Sequence, residues 1–440
     1  LDIAGFRELL RLPGIAEGPF KLSAVLMPGT GGAENLKVQL NSSLGELNIN
    51  GKLSSDPAYI GSSLQISIKG NNAGAVLDRF AIPGIDAVPF TVDTQLTIGD
   101  RLVELHDGAL TGLYALDLSV DGSVGYDFFS DKTRLNLRLK GADLAESLST
   151  LLQNPPVRSM PFTIATQLRT ATGEILLNDL EASANRTRLT GDANIPVSAN
   201  GEGFKLSFRG EGPNLQALLN DHPELGNFPM RVPAKPWTFT GQIERVSGRI
   251  NLTGLSLHAA DFSLDANVEA PWPVKADEFK FSLRSSANDL QAVLPEIGGF
   301  KTASAAYQLD LNGRRQANGW HFEPSSLEYG GARLAIDGNI NLLESLTETD
   351  FSLLINVPNL QQLGTWNDAP LPATSAGLNA ELLGTQSTLS LQEMVFTLGK
   401  SSVRGQISYD PGTERPEIQL QLDSDGLDLR GILPATGQST

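Results

Sequence analysis

The amino-acid sequence predicts a mainly β fold, an elongated antiparallel sheet built from about six units of about 70 residues with one short helix each. Three observations predict it. Apolar and polar residues alternate along most of the chain, a capped helical phrase returns at a near-constant interval, and the composition suits short strands and tight turns. Charged residues make up 19%, below the roughly 25% of an ordinary soluble domain. Glycine supplies 44 of 440 residues, above the usual ~7%.

The strands come first in the argument. Leu135-Asn136-Leu137-Arg138-Leu139-Lys140 puts three leucines on one side and three polar residues on the other, because successive strand side chains point to opposite faces. The same period-two pattern marks Leu36, Val38 and Leu40; Leu64, Ile66 and Ile68; Leu116, Leu118 and Val120; and Leu206 and Phe208. It continues in Phe279, Phe281 and Leu283; Tyr307, Leu309 and Leu311; Leu353 and Ile355; and Ile418, Leu420 and Leu422. A sheet apolar on one side only is the consequence.

The helices are brief. Asp143 caps a segment running to Leu152, and Pro155-Pro156 prevents its continuation. Similar phrases open at Asp2, Asn72, Asn214, Asp289 and Asn359. The residues after these caps are Ile3, Ala73, Leu144, Leu215, Leu290 and Leu360, with Leu427 in the same role, separated by 70, 71, 71, 75, 70 and 67 residues. Six units therefore start near 2, 72, 143, 214, 289 and 359, with a partial seventh from 426, in a single repeating domain spanning 1–440. Each unit reads as a capped helix, a proline-containing linker and four or five strands. The linker ends in Pro-Phe at Pro19-Phe20, Pro89-Phe90 and Pro161-Phe162. Glycine-bracketed strands run from Gly45 to Gly51, Gly331 to Gly338 and Gly399 to Gly405, as turns and bulges between antiparallel strands require.

Charge and residue inventory exclude several function classes. Lys+Arg number 33 against 50 Asp+Glu, a net charge of −17, which argues against nucleic acid as a partner because that needs a basic face. Cysteine is absent, so disulfides, thiolate metal sites and thiol nucleophiles are excluded. His106, His222, His258 and His321 form no HxH or HxxxH pair. Gly29-Thr30-Gly31-Gly32 lacks the third glycine of a dinucleotide loop and reads as a hairpin turn. Asp121, Asp127 and Asp131 miss the EF-hand spacing and its glutamate, which leaves a polar loop. No Gly-x-Ser-x-Gly elbow occurs. No catalytic residue, metal or cofactor is expected, and the chain is read as no enzyme. Trp237, Trp272, Trp320 and Trp366 are expected to pack rather than stack on ligands, and Arg314-Arg315 to serve solubility in a hairpin loop. No uninterrupted apolar run reaches 18 residues, and the chain opens at Leu1 without a signal-like segment, which reads as a piece of a longer protein.

The last unit carries a resemblance. Gly399-Lys400-Ser401-Ser402-Val403-Arg404-Gly405 leads to Arg415-Pro416-Glu417-Ile418-Gln419-Leu420-Gln421-Leu422-Asp423-Ser424 and then Leu427-Asp428-Leu429. This order resembles the recurring pattern of AsmA-like proteins, while the earlier units share only the layout of capped helix and Pro-Phe linker. The resemblance implies a Gram-negative periplasmic protein anchored to the inner membrane through an N-terminal helix that this chain lacks. It also implies a long sheet curled into a trough, a β-groove or β-taco, that carries phospholipids between the inner and outer membranes. Bridge-like lipid transfer proteins are among its relatives.

Physical reasoning meets the resemblance halfway. A sheet with one apolar face must bury it, and one short helix per unit cannot cover four or five strands. Either the sheet curls and packs on itself, or the curl stays open and acyl chains fill it. A strand of about 17–20 Å matches an acyl chain, and at ~4.8 Å per strand roughly 25–30 strands extend on the order of 120–140 Å. The apolar residues named strand by strand above, Tyr307 apart, are the expected lining of such a lipid-binding groove, with acyl chains as partners. Two other readings stay open. One is a scaffold for outer-membrane protein assembly acting through exposed strand edges, with outer-membrane components as partners. The other is a β-solenoid adhesin or polysaccharide enzyme, whose coils of roughly 20–30 residues are not seen.

Overall fold

A computed structural model describes residues 20–29, 33–42, 45–74, 88–113, 116–149, 159–197, 202–221, 232–274, 278–294, 296–316, 319–341, 349–385, 388–410 and 416–426. The fold is mainly β. Among the described residues twenty-four strands belong to one antiparallel sheet and four short ones to a second. The chain divides into two compact units, Leu1–Gly210 with Asp221–Leu225, and Glu211–Asn220 with Gly226–Thr440.

In the first unit the strands are β1 (Phe20–Pro28), β2 (Glu34–Ser42), β3 (Gly45–Leu53), β4 (Ser63–Gly70), β5 (Phe90–Ile98), β6 (Leu102–Leu113), β7 (Leu116–Gly125), β8 (Arg134–Gly141), β9 (Phe162–Ala171), β10 (Glu174–Ala184) and β11 (Thr187–Pro196). β12 (Lys205–Gly212) carries the boundary between the units. From β1 to β11 every strand pairs antiparallel with its neighbour in sequence.

The second unit continues with β13 (Trp237–Val246), β14 (Arg249–Ala259), β15 (Phe262–Pro271), β16 (Phe279–Ala287), β17 (Glu296–Ile297), β18 (Phe300–Thr302), β19 (Tyr307–Gln316), β20 (Gly319–Tyr329), β21 (Ala332–Ile340) and β22 (Asp350–Val357). It ends with β23 (Gly364–Trp366), β24 (Ala369–Pro370), β25 (Ala376–Gly384), β26 (Leu389–Leu398), β27 (Ser401–Asp410) and β28 (Glu417–Gly426). The short strands β17, β18, β23 and β24 pair among themselves. The others pair in sequence, with β16 passing directly to β19 and β22 to β25.

Between groups of four sheet strands lie the helical connections: α1 (Leu144–Ser149), α2 (Leu215–Asp221), α3 (Leu290–Val293) and a 3-10 turn at Leu360–Leu363. The expected caps hold them. Asp143 accepts from the Glu146 amide at 3.1 Å, Asn214 from Ala217 at 2.9 Å, Asp289 from Gln291 at 3.0 Å and Asn359 from Gln361 at 3.1 Å, satisfying amides that a helix start leaves open. The residue after each cap ties the connection back to the sheet. Ala73, Leu144, Leu215, Leu290 and Leu360 donate their N–H groups to the carbonyls of Val88, Met160, Lys235, Ala305 and Thr374 at 2.8–3.0 Å. Each acceptor lies two residues before the next sheet strand. The phrases expected at Asp2 and Leu427 lie outside the described residues, as do Thr30, Gly31 and Gly32 of the expected hairpin turn.

The strand joints beside these connections obey a size rule. An added Cβ on Gly70 would meet the Phe90 ring at 2.1 Å, on Gly141 the Phe162 ring at 2.3 Å and on Gly212 the Trp237 ring at 2.7 Å. Where the glycine becomes Ala287 its partner is Tyr307, and where it becomes Val357 the partner shrinks to Ala376. A small residue thus faces an aromatic ring at four joints and the order reverses at the fifth, so that two large side chains never meet, as close packing demands. The best-buried core of the second unit gathers along this edge: Leu215, Trp237, Ala259, Phe262, Ala287, Leu290, Val293, Tyr307 and Tyr329.

Bulges in the second strand of a group interrupt the alternation. Asp107, Asp179, Gly254 and Glu393 take positive φ there, the left-handed region that Gly and Asp tolerate best. The extra amides of Asp107, Asp179 and Gly254 donate to the side chains of Asp121, Asp192 and Asn267 at 2.8–3.0 Å. In β20 the bulge contains Pro324, which has no N–H to satisfy.

Candidate functional site

Cross-strand register decides which side chains share a face, because residues directly opposite each other project to the same side. In the first unit Leu40, Val38 and Leu36 stand opposite Leu22, Ala24 and Leu26 on one side and Leu47, Ile49 and Gly51 on the other. Ile68, Ile66 and Leu64 continue the row from Leu47, Ile49 and Gly51 to Val92, Thr94 and Leu96. Leu118 and Val120 face Leu139 and Leu137, Leu116 faces Gly141, and Leu135 and Leu139 face Leu168 and Ile164. Phe208 lies against Gly191, with Leu206 two residues before it on the same face.

The second unit repeats this order. Leu283 sits between Ala266 and Leu311, Phe281 between Val268 and Gly313, and Leu309 opposite Leu327. Phe279 opposes Arg315, and Leu353 and Ile355 lie between Ile336 and Leu334 on β21 and Ala380 and Leu378 on β25. Ile418, Leu420 and Leu422 oppose Tyr409, Ile407 and Gly405. Within each unit, then, the residues selected by period two fall on one face.

That face is apolar and only half covered. Apart from the buried Tyr307, every selected residue outside β28 is half-buried, and on β28 Ile418, Leu420 and Leu422 are 62%, 61% and 49% exposed. In the second unit the face carries an aromatic ladder. Phe279 and Phe281 lie 5.8 and 6.0 Å from Trp320, and Phe322 lies 6.2 Å from Trp320 and 6.0 Å from Phe351. These edge and stacked contacts suit aromatic quadrupoles.

Sequence reasoning missed several members of the face, among them Leu47, Ile49, Leu96, Leu168, Val268, Trp320 and Phe322. Glu46-Leu47-Asn48-Ile49-Asn50 carries the same alternation and was available as a signal. The others are hidden because bulges reset the period, and because Thr94 and Thr166 stand at apolar-face positions.

The opposite face is polar. Arg134, Asn136, Arg138 and Lys140 are exposed there. Arg188 pairs with Glu181 at 3.0 Å and Arg284 with Asp310 at 3.2 Å, exposed ion pairs worth about 0–1 kcal/mol each. Of the acidic trio, Asp121 serves the β6 bulge and Asp127 accepts from the Phe129 amide at 3.1 Å. Among the described residues no group of His, Asp and Glu is arranged to hold a metal ion, and no helix is long and apolar enough to cross a membrane. The two tyrosines with shifted ionisation are structural. Burial pushes Tyr307 and Tyr329 up, and their hydroxyls engage Ser285 at 2.7 Å and the Leu363 carbonyl at 2.7 Å.

Arg314 and Arg315 correct an expectation. They lie inside β19, not in a hairpin loop, and alternation sends them to opposite faces: Arg314 is exposed opposite His321, whereas Arg315 is half-buried opposite Phe279 and Trp320. The tryptophans also differ. Trp237 is 3% exposed, while Trp272, Trp320 and Trp366 are 47%, 36% and 53% exposed.

No protein-family model, curated protein or solved structure matches the chain.

Proposed function

We propose that the chain is a periplasmic lipid-transfer protein that conducts phospholipids between the inner and outer membranes along its apolar sheet face. The supporting observation is the in-register apolar face, half-covered across the sheet strands, while the best-buried side chains cluster at the helical joints. In this reading six four-strand repeats with a partial seventh form one curled groove over 1–440, each helical connection closing one joint. Acyl chains rest on the apolar face at about 25 cal/mol per Å² of area removed from water, and headgroups stay in solvent. Similar chemistry from strand to strand keeps the free energy nearly level, so lipids slide without deep traps. No residue performs catalysis, and no cofactor is needed. The resemblance to AsmA-like proteins supplies the periplasmic setting and the inner-membrane anchor.

Native mass spectrometry of chain purified without detergent tests this. Phospholipid is expected to co-purify and to be lost on Leu137→Glu. A lipid-free chain, or a lipid load indifferent to that substitution, would overturn the reading.

A further inference from the structure

Two arginines in the second unit stand where the apolar face has no use for a charge. Arg245 lies near the end of β13 opposite Ile250, and Arg315 near the end of β19 opposite Phe279 and Trp320. Both occupy strand ends away from the helical joints, where Trp237 and Tyr307 begin the same strands. The Arg245 guanidinium sits 5.0 Å from the centre of the Trp272 ring, and that of Arg315 sits 5.2 Å from the Trp320 ring. Stacking on an aromatic face holds a guanidinium without consuming its N–H donors.

Those donors are incompletely used. Arg245 Nε and Arg315 Nη1 are buried and have no hydrogen-bond partner among the described residues. Acceptors are plentiful in a chain of net charge −17, and Arg188 and Arg284 find carboxylates. Neither Arg245 nor Arg315 forms an ion pair among the described residues. A buried charged donor left unpaired costs more than a lost neutral hydrogen bond, and arginine does not escape by losing its proton.

We propose that Arg245 and Arg315 are headgroup sites for anionic amphiphiles, each guanidinium donating to the phosphodiester oxygens of a lipid whose tails lie on the adjoining apolar face. Beside Arg315 that face is the ladder of Phe279, Phe281, Trp320 and Phe322. Guanidinium and phosphodiester match as charge-assisted, bidentate partners. The assignment rests on the lipid-carrying reading and adds to it a charge preference and two named stations.

The test compares three soluble probes by equilibrium titration: short-chain phosphatidylglycerol, diacylglycerol of the same chain length, and inorganic phosphate. Phosphatidylglycerol is expected to bind at least tenfold tighter than diacylglycerol. The double variant Arg245→Gln/Arg315→Gln is expected to abolish that advantage while diacylglycerol binding stays unchanged, and Arg245→Lys/Arg315→Lys to retain part of it. Equal binding of the two lipids by the unaltered chain overturns the headgroup sites and leaves the lipid-carrying reading standing. Binding of neither lipid overturns both. Inorganic phosphate binding as tightly as phosphatidylglycerol assigns a free-anion site instead and overturns the amphiphile.

Discussion

Trp237 and Trp320 lie on the same apolar face of one unit yet live in different surroundings. Trp237 starts β13 beside a helical connection, is 3% exposed, stacks on Phe239 at 5.6 Å and covers Gly212. Trp320 starts β20 at the other end of the strands and is 36% exposed among Phe279, Phe281 and Phe322. One indole is part of a closed core and the other part of an open surface. The best-buried packing of this unit therefore lies along the helical edge, and the remainder of the face stays partly exposed.

Substitutions sharpen this contrast. Trp237→Ala is expected to cost the most, about 3–5 kcal/mol, because it empties a packed joint, whereas Trp320→Ala should cost well under half as much. Denaturant midpoints and amide exchange of β13 and β20 check both. Similar losses at the two sites would erase the distinction.

Gly141→Val is next. Its side chain runs into the Phe162 ring at 2.3 Å and Leu116 at 2.8 Å, and overpacking of this kind costs typically about 1–3 kcal/mol. A compensating Phe162→Ala in the same chain should recover much of it, as the natural pair Val357 and Ala376 suggests. A double variant no better than the single one would contradict the size rule.

A smaller loss, about 1–2 kcal/mol, is expected for Asp121→Ala, which leaves the buckled Asp107 amide of β6 without its 2.8 Å acceptor. Exchange of that amide should quicken while lipid binding is retained.

The smallest effect concerns pH. The Ser159 hydroxyl, followed by the Glu146 amide, holds the Asp143 carboxylate below its ordinary 3.8. A depressed carboxylate stabilises the fold above its unfolded value and loses that contribution as pH falls through the folded one. The α1 cap should therefore persist at neutral pH and loosen only in acid below about 4. Ser159→Ala should move that loosening to higher pH, followed by exchange of the Glu146 amide.

Much of this was legible in the sequence. Period two located the strands and their apolar side, since a side chain at every second residue must share a face. Cap residues located the helical connections, because Asp143, Asn214, Asp289 and Asn359 each satisfy an amide within their own turn. Features that depend on cross-strand neighbours stayed hidden. The bulges of β6, β10, β14 and β26 need a register to be visible. The pairing of Gly141 with Phe162 spans 21 residues. Arg315 reads as half of a soluble Arg-Arg pair until β19 assigns its two arginines to opposite sides.

Photo-crosslinking tests the central claim most directly. Benzoylphenylalanine placed at Leu137, on the apolar face, or at Arg138, on the polar face, is irradiated in cells with labelled phospholipid. The account predicts lipid adducts at position 137 and none at 138. Adducts at both positions in equal yield, or at neither, would contradict it.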